Sequence, residues 1–350
     1  MAQDKLAIRN VGGHVEHERL RIDVGFPSER SIPDWERRHG TGEVPGRWPY
    51  GLDGLDAGAH VTPLRVDAPT VLQRAAGRIG LRRRADRGAV GLTWDENAAF
   101  RMASTRPHAQ HVSGVIWLTD AAARGRDLGR MPAVLRELSA LWVLSDAQIE
   151  PLRRVVPGVA VEYVRFGIDA DFFSFQPYPA APRVVSVGGD RDRDTDTLFR
   201  ALARVHESRP DVELIVQTSS DLSPPAGVDT VRHLAHAKLR DLYSSASVVA
   251  IATRDNLHVS GMTVSLEAMA TGRPVAITRS PGMEDYVADG RTGLLSPPGD
   301  EEMLADHILA LLSDEDSAAA MGAAGRAEVE SRFTSGEMTR ALLELARRHV

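Results

Sequence analysis

Thr263 and Glu267 stand four residues apart near the start of a predicted helix, a spacing that places both side chains on one helical face, roughly 6 Å apart along the axis. Just before them, Ser260 is a favourable N-cap residue and Gly261 allows the backbone to approach a ligand closely. The free N–H groups and the dipole of a helix start favour an anion. A diphosphate bound there would bring its ribose near Glu267, whose carboxylate can accept two hydroxyls. These residues therefore indicate nucleotide-sugar binding, and a surface glutamate on an ordinary amphipathic helix is the alternative.

This helix is predicted to lie between two buried strands. The apolar run at residues 248–252 is short enough for a buried strand and too short for a helix. The helix ends near Gly272, and residues 274–278 are typical of the next strand, so the whole is a βαβ unit. One apolar stripe of the helix is formed by Met262, Leu266, Met269 and Ala270.

The composition limits the possible classes of protein. A chain of 350 residues has the length of about two domains. Its formal net charge of −6 argues against a general nucleic-acid-binding protein, whose surface is dominated by positive charge. The sequence has no cysteine, which excludes disulfides and thiolate metal sites and favours a cytoplasmic location. No apolar run approaches about 18 residues, so a transmembrane span is not predicted.

The first half predicts an α/β sheet of about six strands, after a loose leader at residues 1–18. Asp95 and Asp120 each follow a predicted strand, at the sheet edge where parallel sheets bind ligands. Asp95 is a candidate for orienting or deprotonating an acceptor hydroxyl, and helix capping is the alternative for both aspartates. The strands are predicted at residues 20–26, 60–66, 89–94, 115–119, 141–145 and 159–164.

Two polar segments of the first half are candidates for contact with an acceptor. Residues 27–54 carry Trp35, Trp48 and Tyr50, whose rings could stack on an acceptor or simply anchor a long loop. Residues 71–87 contain six arginines. This basic segment could meet an anionic membrane surface or an anionic acceptor, so peripheral membrane contact stays open, although a solvated helix face is the favoured interpretation.

The second half predicts another α/β series, which begins with a strand that runs into the glycine turn Gly188-Gly189. No G-x-G-x-x-G fingerprint follows the first strand of the chain, which argues against a dehydrogenase. His233 and His236 have the spacing of metal ligands, but no third ligand is evident. Strands are predicted at residues 184–189, 212–217, 231–234, 248–252, 274–278 and 293–295, with helices at 198–205 and 239–246.

Alternating charges follow the glycine turn, at residues 190–196. A calcium loop would need Gly in place of Thr195 and Glu in place of Ala201, so that pattern fails. We interpret Arg191 and Arg193 as cations beside the diphosphate, with the aspartates orienting them or capping the next helix.

Taken together, the motifs of the second half resemble the C-terminal domain of GT-B glycosyltransferases, specifically the family 4 group. The resemblance covers residues 140–335 well and the first 130 residues in outline. An entry segment, Phe166-Gly167-Ile168-Asp169 with Phe172-Phe173, is similar as well. The matching motifs are residues 184–189, Leu266-Glu267-Ala268-Met269-Ala270 with Gly272-Arg273-Pro274, Pro281-Gly282, Asp289-Gly290-Arg291-Thr292-Gly293 and Pro298-Gly299-Asp300.

The resemblance implies an α/β GT-B fold, with two Rossmann-like domains that face a central cleft. Residues 1–167 would bind the acceptor and residues 168–335 the donor. Residues 336–350 would form a C-terminal helix that packs back on the first domain. The implied reaction transfers a hexose from a nucleoside-diphosphate sugar, UDP- or GDP-linked, to an acceptor hydroxyl, without a cofactor or metal and without nucleic acid. The oligomeric state is not predicted.

The resemblance also implies roles for individual residues. Glu267 would hold the ribose hydroxyls, and Arg193 would neutralise the leaving diphosphate, with Arg191 as the less certain partner. The backbone near His233 would line the base pocket. The remaining donor-binding residues implied are Gly188, Gly189, Ser260, Gly261, Met262 and Thr263.

One departure from the family pattern concerns the donor sugar. The family usually has a second glutamate eight residues before the position of Glu267, and this chain has Val259 there, which cannot hydrogen-bond a sugar hydroxyl. His258 is a candidate substitute, although a lone histidine at a strand end is more often structural. The resemblance implies retention of configuration, while the substitution leaves room for an inverting relative with Asp95 as base. A nucleotide-sugar epimerase of the same fold and a non-catalytic nucleotide-sugar binding protein are the alternatives.

Overall fold

The computed structural model describes residues 19–73 and 84–349, which form two parallel β-sheets flanked by helices. Each sheet has six strands, so the predicted α/β class and the six strands expected for the first sheet are confirmed. Two expectations lie outside the described residues. They are the loose leader at residues 1–18 and, within the arginine-rich segment, residues 74–83.

The first sheet is built by β1 (Arg21–Pro27), β2 (His60–Val66), β3 (Asp86–Thr93), β4 (His108–Gly114), β5 (Ala140–Val143) and β6 (Ala160–Tyr163). The strands lie in the order β2-β1-β3-β4-β5-β6, and neighbours pair in parallel. The predicted strand at residues 115–119 is wrong, because β4 is the more polar stretch before it. The apolar run instead forms a loop that packs beneath the cleft, and Leu118 begins a helix.

The second sheet is built by β7 (Arg183–Gly188), β8 (Glu213–Thr218), β9 (Val228–Val231), β10 (Val248–Ile251), β11 (Val275–Thr278) and β12 (Gly293–Ser296). Its order is β12-β11-β10-β7-β8-β9, again with parallel neighbours, as in a doubly wound dinucleotide-binding sheet. Strands β10 and β11 are buried along their whole length, as their continuous apolar sequences predict. The strand predicted at residues 231–234 lies three residues too late.

Helices connect the strands and cover both faces of each sheet. The first half contains α1 (Ile32–Gly40), α2 (Glu96–Thr105), α3 (Leu118–Ala123), α4 (Met131–Leu135) and α5 (Ile149–Val155). The second half contains α6 (Thr195–Ser208), α7 (His236–Ser244), α8 (Met262–Ala270), α9 (Glu301–Ser313), α10 (Glu315–Arg332) and α11 (Ser335–Arg348). No helix in the described ranges is both long enough and apolar enough to cross a bilayer.

The strand order places a ligand-binding crevice in each sheet. The order reverses between β1 and β3 in the first sheet and between β7 and β10 in the second. Ligands of open α/β sheets bind beyond the carboxyl ends of the strands at such points. Residues that follow all four strands, Glu29, Trp94, Gly189 and His258 among them, line the same cavity. The two crevices therefore open onto one cleft.

Buried contacts join the two halves beneath this cleft. The hydroxyl of Tyr286, in the second half, donates to the carbonyl of Leu144 (2.6 Å) and accepts from the amide of Phe166 (3.1 Å). Helix α11 returns to the first half, where Arg347 donates to the carbonyl of Gly58 (3.0 Å) and Glu162 pairs with Arg348. The proposed domain limits at residues 167 and 335 are compatible with these contacts, and they stay a proposal.

Replacing Tyr286 by Phe is expected to lower the free energy of unfolding by about 1–3 kcal/mol, because a buried carbonyl and a buried amide lose their partner. Urea unfolding followed by tryptophan fluorescence measures this loss. The control is Ser331→Ala, which removes an exposed hydroxyl that donates only to the carbonyl of Glu328 and should change stability by less than about 0.5 kcal/mol. An equal stability of Tyr286→Phe and wild type would contradict the role of this residue.

Candidate active site

A cavity of about 690 Å³ lies between the two sheets and is lined by residues of both. This volume is within the range of small-molecule sites, which hold roughly 300–1,000 Å³. The second half contributes the turn after β7, the loop after β10 and the start of α8. The first half contributes the segment after β1 and the aromatic side chains after β3 and β4.

Arg193 places an unpartnered cation in this cavity. Its Nε and Nη1 atoms are buried and have no hydrogen-bond partner within residues 19–73 and 84–349, while the side chain remains partly open to the cleft. The guanidinium lies between Gly188 and Gly261, where a Cβ atom on either glycine would overlap it. A backbone bond from the amide of Asp194 to the carbonyl of Ala252 (2.9 Å) fixes this segment against the loop after β10. Because a buried charge without a partner is costly, the arrangement suits an anionic ligand.

The start of α8 faces the same point. Gly261 precedes the helix with φ 102°, a left-handed conformation that only glycine adopts readily, and no side chain caps the helix. Ser260, the predicted N-cap, instead donates its hydroxyl to Asp190 (2.9 Å). Met262 and Thr263, in the first turn, line the cavity, so the positive end of the helix dipole is directed toward the ligand space.

Val259 has an unusual backbone conformation, with φ 55°. A β-branched residue is strained there, at a cost on the order of 1–3 kcal/mol, and such strain concentrates at functional sites. The side chain is fully buried. Val259 therefore shapes the loop but offers no polar group to a sugar.

Glu267 is buried in the wall of the cavity, 9% exposed, which excludes the alternative of a surface residue on an amphipathic helix. All residues of α8 except Thr263 are buried, so the helix has no solvent face. The hydroxyl of Tyr243 donates to Glu267 Oε2 (2.9 Å). Burial raises the pKa of Glu267 to about 7, against the opposing effects of Tyr243 and of the Arg193 charge.

A network of charged residues crosses the cleft beside Arg193. Asp120, in α3, accepts from the imidazole Nδ1 of His258 (2.9 Å) and from the amide of Leu257 (2.8 Å). The other imidazole nitrogen lies 3.3 Å from Asp190. Burial alone would lower the pKa of His258, but its bonds to Asp120 and Asp190 outweigh burial and raise the pKa to about 9. The imidazole is therefore a cation near neutral pH.

Arg124 extends this network. It pairs with Asp192 (2.7 Å) and donates to the carbonyl of Asp255 (3.1 Å), so the residue that follows α3 contacts both the turn after β7 and the loop after β10. Asp120, Asp192 and His258 each have a ligand atom within 4.8 Å of the others, a spacing that a metal ion could use. We interpret the group as ion pairs, because Arg124 and the protonated imidazole already neutralise the carboxylates.

The first half supplies an aromatic wall to the cavity. Tyr50 stacks on Trp94, with ring centroids 4.1 Å apart and an interplanar angle of 8°. Arg30 covers the other face of Tyr50, 4.9 Å from its centroid. Trp117 also lines the cavity. Tyr50 has φ 63°, a second left-handed conformation in a non-glycine residue of this site.

The structure brings most of the predicted site residues together and leaves three outside the cavity lining. Asp95 caps α2, its Oδ1 accepting from the amides of Asn97 and Ala98 (both 2.9 Å), which is the capping alternative. Arg191 is exposed and covers the ring of Trp117 at 5.1 Å, and His233 is exposed while its neighbour His236 lines the cavity. The predicted residues that line it are Gly188, Gly189, Arg193, His258, Ser260, Gly261, Met262, Thr263 and Glu267.

Several residues of the site were not singled out from the sequence. Tyr243 carries no signal, because a tyrosine in α7 resembles an ordinary core residue. Asp190 was considered only as an orienting or capping group. Trp94 was assigned to a buried strand. Each contacts a residue that is distant in the chain, so no local pattern could have identified it.

The variant Glu267→Gln is expected to change how stability depends on pH. The native protein holds a proton on Glu267 more tightly than the unfolded chain, where the pKa is near 4.5. This contribution to stability is complete below about pH 4.5 and is lost as the pH rises through about 7. Wild type should therefore lose on the order of 3 kcal/mol relative to Glu267→Gln between about pH 5 and pH 8.

Urea unfolding of both proteins at several pH values measures this difference. The other titrating groups are common to both chains, so their contributions cancel. A difference that does not change with pH would show that Glu267 titrates near its ordinary value.

A family model and several curated proteins match part of the chain. Residues 181–314 match the family model described as Glycosyl transferases group 1. One curated relative is the GDP-mannose-dependent alpha-(1-6)-phosphatidylinositol monomannoside mannosyltransferase of Mycolicibacterium smegmatis, 32% identical over 49% of this chain and 52% of that protein. Another is the D-inositol 3-phosphate glycosyltransferase of Kribbella flavida, 30% identical over 47% of this chain and 45% of that protein. The matches thus span about half the length of these relatives.

Solved structures match along nearly the whole chain. Sucrose-phosphate synthase of Thermosynechococcus elongatus has a TM-score of 0.65 at 17% identity and covers 94% of this chain and 99% of its own. HepE of Anabaena in complex with UDP-glucose has a TM-score of 0.66 at 14% identity and covers 94% of this chain and 100% of its own. At these identities the likeness shows the fold. The chain therefore has the GT-B fold, and its residues 181–314 are similar to the glycosyl transferases group 1 family.

Proposed function

We propose that this protein transfers a hexose from a nucleoside-diphosphate sugar to a hydroxyl of an acceptor, with retention of configuration. The main support for the proposal is the guanidinium of Arg193, which is buried and has no hydrogen-bond partner among the described residues on Nε and Nη1. It lies at the start of α8, which no side chain of the described residues caps. A diphosphate there would receive charge-assisted hydrogen bonds from Arg193 and from the amides of the first helical turn. Glu267 lies one turn further along, within reach of a ribose.

The nucleoside would extend from the diphosphate toward α7. Glu267, positioned by Tyr243, would accept hydrogen bonds from the ribose hydroxyls. The nucleobase would occupy the part of the cavity lined by Gln217, His236 and Leu239. Burial lowers the pKa of His236, so its imidazole would meet the base in the neutral form. One relative is named as GDP-mannose-dependent, and the structural neighbour HepE is in complex with UDP-glucose, which supports a UDP- or GDP-linked donor.

The acceptor would bind on the side of the first half, with residues 1–167 as the acceptor domain. Tyr50, Trp94 and Trp117 line this side of the cavity, and the exposed parts of their rings would contact a sugar or cyclitol ring. Arg30 beside them would suit a phosphate on the acceptor. Two relatives are named for phosphate-bearing acceptors, phosphatidylinositol monomannoside and inositol 3-phosphate, which agrees with a cation at this position.

Stabilisation of the leaving group would be the main source of rate acceleration. As the bond from the anomeric carbon to the diphosphate oxygen breaks, negative charge develops on that oxygen beside Arg193 and the α8 dipole. The acceptor oxygen forms the new bond to the anomeric carbon, and its proton passes to the departing diphosphate. Asp95, held as a helix cap, takes no part in this scheme. A cytoplasmic location stays a prediction.

Nucleotide binding tests the donor site. We expect one of UDP, GDP, ADP and dTDP to raise the melting temperature of the wild type without added metal. Arg193→Gln should weaken that binding roughly 10- to 150-fold, because charge-assisted hydrogen bonds are lost. Differential scanning fluorimetry over a nucleotide titration measures both effects.

The matched control is Arg204→Gln, since Arg204 is an exposed arginine of α6 that pairs with Glu302 away from the cavity. Its nucleotide affinity should equal that of wild type. If none of the four nucleotides shifts the melting temperature, with or without magnesium, the donor site is assigned wrongly. Binding without any turnover, across a screen of hydroxyl acceptors, would favour a non-catalytic binding protein.

The reaction is expected to proceed in the presence of EDTA, because Arg193 and the helix dipole supply the positive charge that a metal would otherwise supply. Release of nucleoside diphosphate from UDP-glucose or GDP-mannose measures the rate, which should change by less than about twofold. The anomeric configuration of the product, determined by NMR, tests retention. A rate that EDTA abolishes and Mg²⁺ or Mn²⁺ restores would instead assign a metal to Asp120, Asp192 and His258.

A further inference from the structure

The donor sugar needs a polar partner that position 259 does not provide. The side chain of Val259 is buried and apolar, so it cannot bind a hydroxyl. His258, considered from the sequence as a substitute, has both ring nitrogens engaged, one with Asp120 and one with Asp190. Neither residue can therefore receive a sugar hydroxyl without breaking existing bonds.

Asp190 has the accessible oxygen that these residues lack. Its Oδ1 accepts three hydrogen bonds, from the amide of Asp192 (2.9 Å), the hydroxyl of Ser260 (2.9 Å) and the imidazole of His258 (3.3 Å). Among the described residues no hydrogen bond reaches its Oδ2. The side chain is 27% exposed and lines the cavity. One carboxylate oxygen is thus anchored and the other is open to the ligand.

Asp190 also lies close enough to the proposed diphosphate site to contact a sugar attached to the diphosphate. Ser260 links it to the residue that precedes Gly261, at the start of α8. Arg193 lies three residues further along the chain, and the charge of Asp190 raises its pKa against the effect of burial. A sugar attached to a diphosphate between Arg193 and α8 would therefore lie beside this carboxylate.

The groups around Asp190 keep it ionised. Burial would raise the pKa of Asp190, but the protonated His258, the Asp192 amide and Ser260 outweigh burial and hold it well below its usual range. His258 is itself held by Asp120 from α3, with Asp192 at 3.9 Å and Arg124 on the far side of Asp192. The carboxylate is therefore an acceptor of hydrogen bonds at any physiological pH.

We propose that Asp190 binds a hydroxyl of the donor hexose through Oδ2, in place of a carboxylate at position 259, and that His258 and Asp120 hold it in position. This inference rests on the proposed donor site. It makes Asp190 a residue that determines which sugar is accepted. Asp120 contributes from the opposite half, so the sugar contact is complete only while the two halves meet at this network.

The test compares nucleoside diphosphates with the corresponding sugar donors. Dissociation constants of UDP, UDP-glucose, GDP and GDP-mannose are measured by calorimetry for wild type and Asp190→Asn. For the donor that the wild type binds, Asp190→Asn should weaken the sugar nucleotide roughly 10- to 150-fold, the range for a hydrogen bond to a charged group. The affinity for the free diphosphate should stay equal or increase, because a carboxylate near the diphosphate is removed.

Two controls separate this contact from a structural effect. Asp196→Asn changes an exposed aspartate of the same segment that pairs with Arg200 and does not line the cavity. This variant should leave all four dissociation constants unchanged. Asp120→Asn should weaken the sugar nucleotide in the same direction as Asp190→Asn, because it releases His258.

The outcomes discriminate between the two proposals. Equal losses for the diphosphate and the sugar nucleotide in Asp190→Asn would show a structural role and overturn the inference. If Asp190→Asn changes neither the affinity for the diphosphate nor that for the sugar nucleotide, the inference is overturned while the proposed donor site stands. If none of UDP, GDP, ADP and dTDP binds to the wild type, the proposed function fails first and the inference fails with it.

Discussion

The site depends on one electrostatic constraint, the burial of the Arg193 guanidinium with no counter-ion in direct contact in the part of the chain that the structure describes. Burial lowers the pKa of this arginine, and the negative charge of Asp190 opposes that effect. The space for the guanidinium exists only because Gly188 and Gly261 have no side chain. An anion in the cleft would satisfy Nε and Nη1, so ligand binding and local stability are coupled at this residue.

The same constraint explains why both sheets are needed. The turn after β7 and the loop after β10 meet at the switch point of the second sheet, and backbone bonds from Asp194 and Arg254 hold them together. Asp120 and Arg124 of α3 then bind those loops from the other half. Tyr286 and α11 fix the two halves beneath the cleft. The cavity is thus a product of long-range contacts, and no single element could form it.

The sequence predicted the elements of the second half better than the contacts between them. The βαβ unit around Glu267, the glycine turn and the cation at Arg193 follow from local patterns, because strand, turn and helix signals are short in range. The charge network could not be predicted, since Asp120 and His258 are 138 residues apart. The N-cap at Ser260 was predicted wrongly for a related reason. Its hydroxyl is drawn to Asp190, seventy positions away, and Gly261 takes the cap position.

Val259 has a packing role in the loop before α8. It lies against Gly282, which in turn faces Ser145 of the first half; a Cβ on Gly282 would meet Val259 Cγ2 at 3.2 Å and overlap Ser145. The valine therefore packs beside a contact between the two halves. The packing around the apolar side chain stabilises it in spite of the strained φ. A buried carboxylate at this position would instead need hydrogen-bond partners. In the proposed donor site a polar contact to the sugar would come from a neighbouring segment, and Asp190, which bonds to His258 and Ser260 on either side of Val259, would supply it.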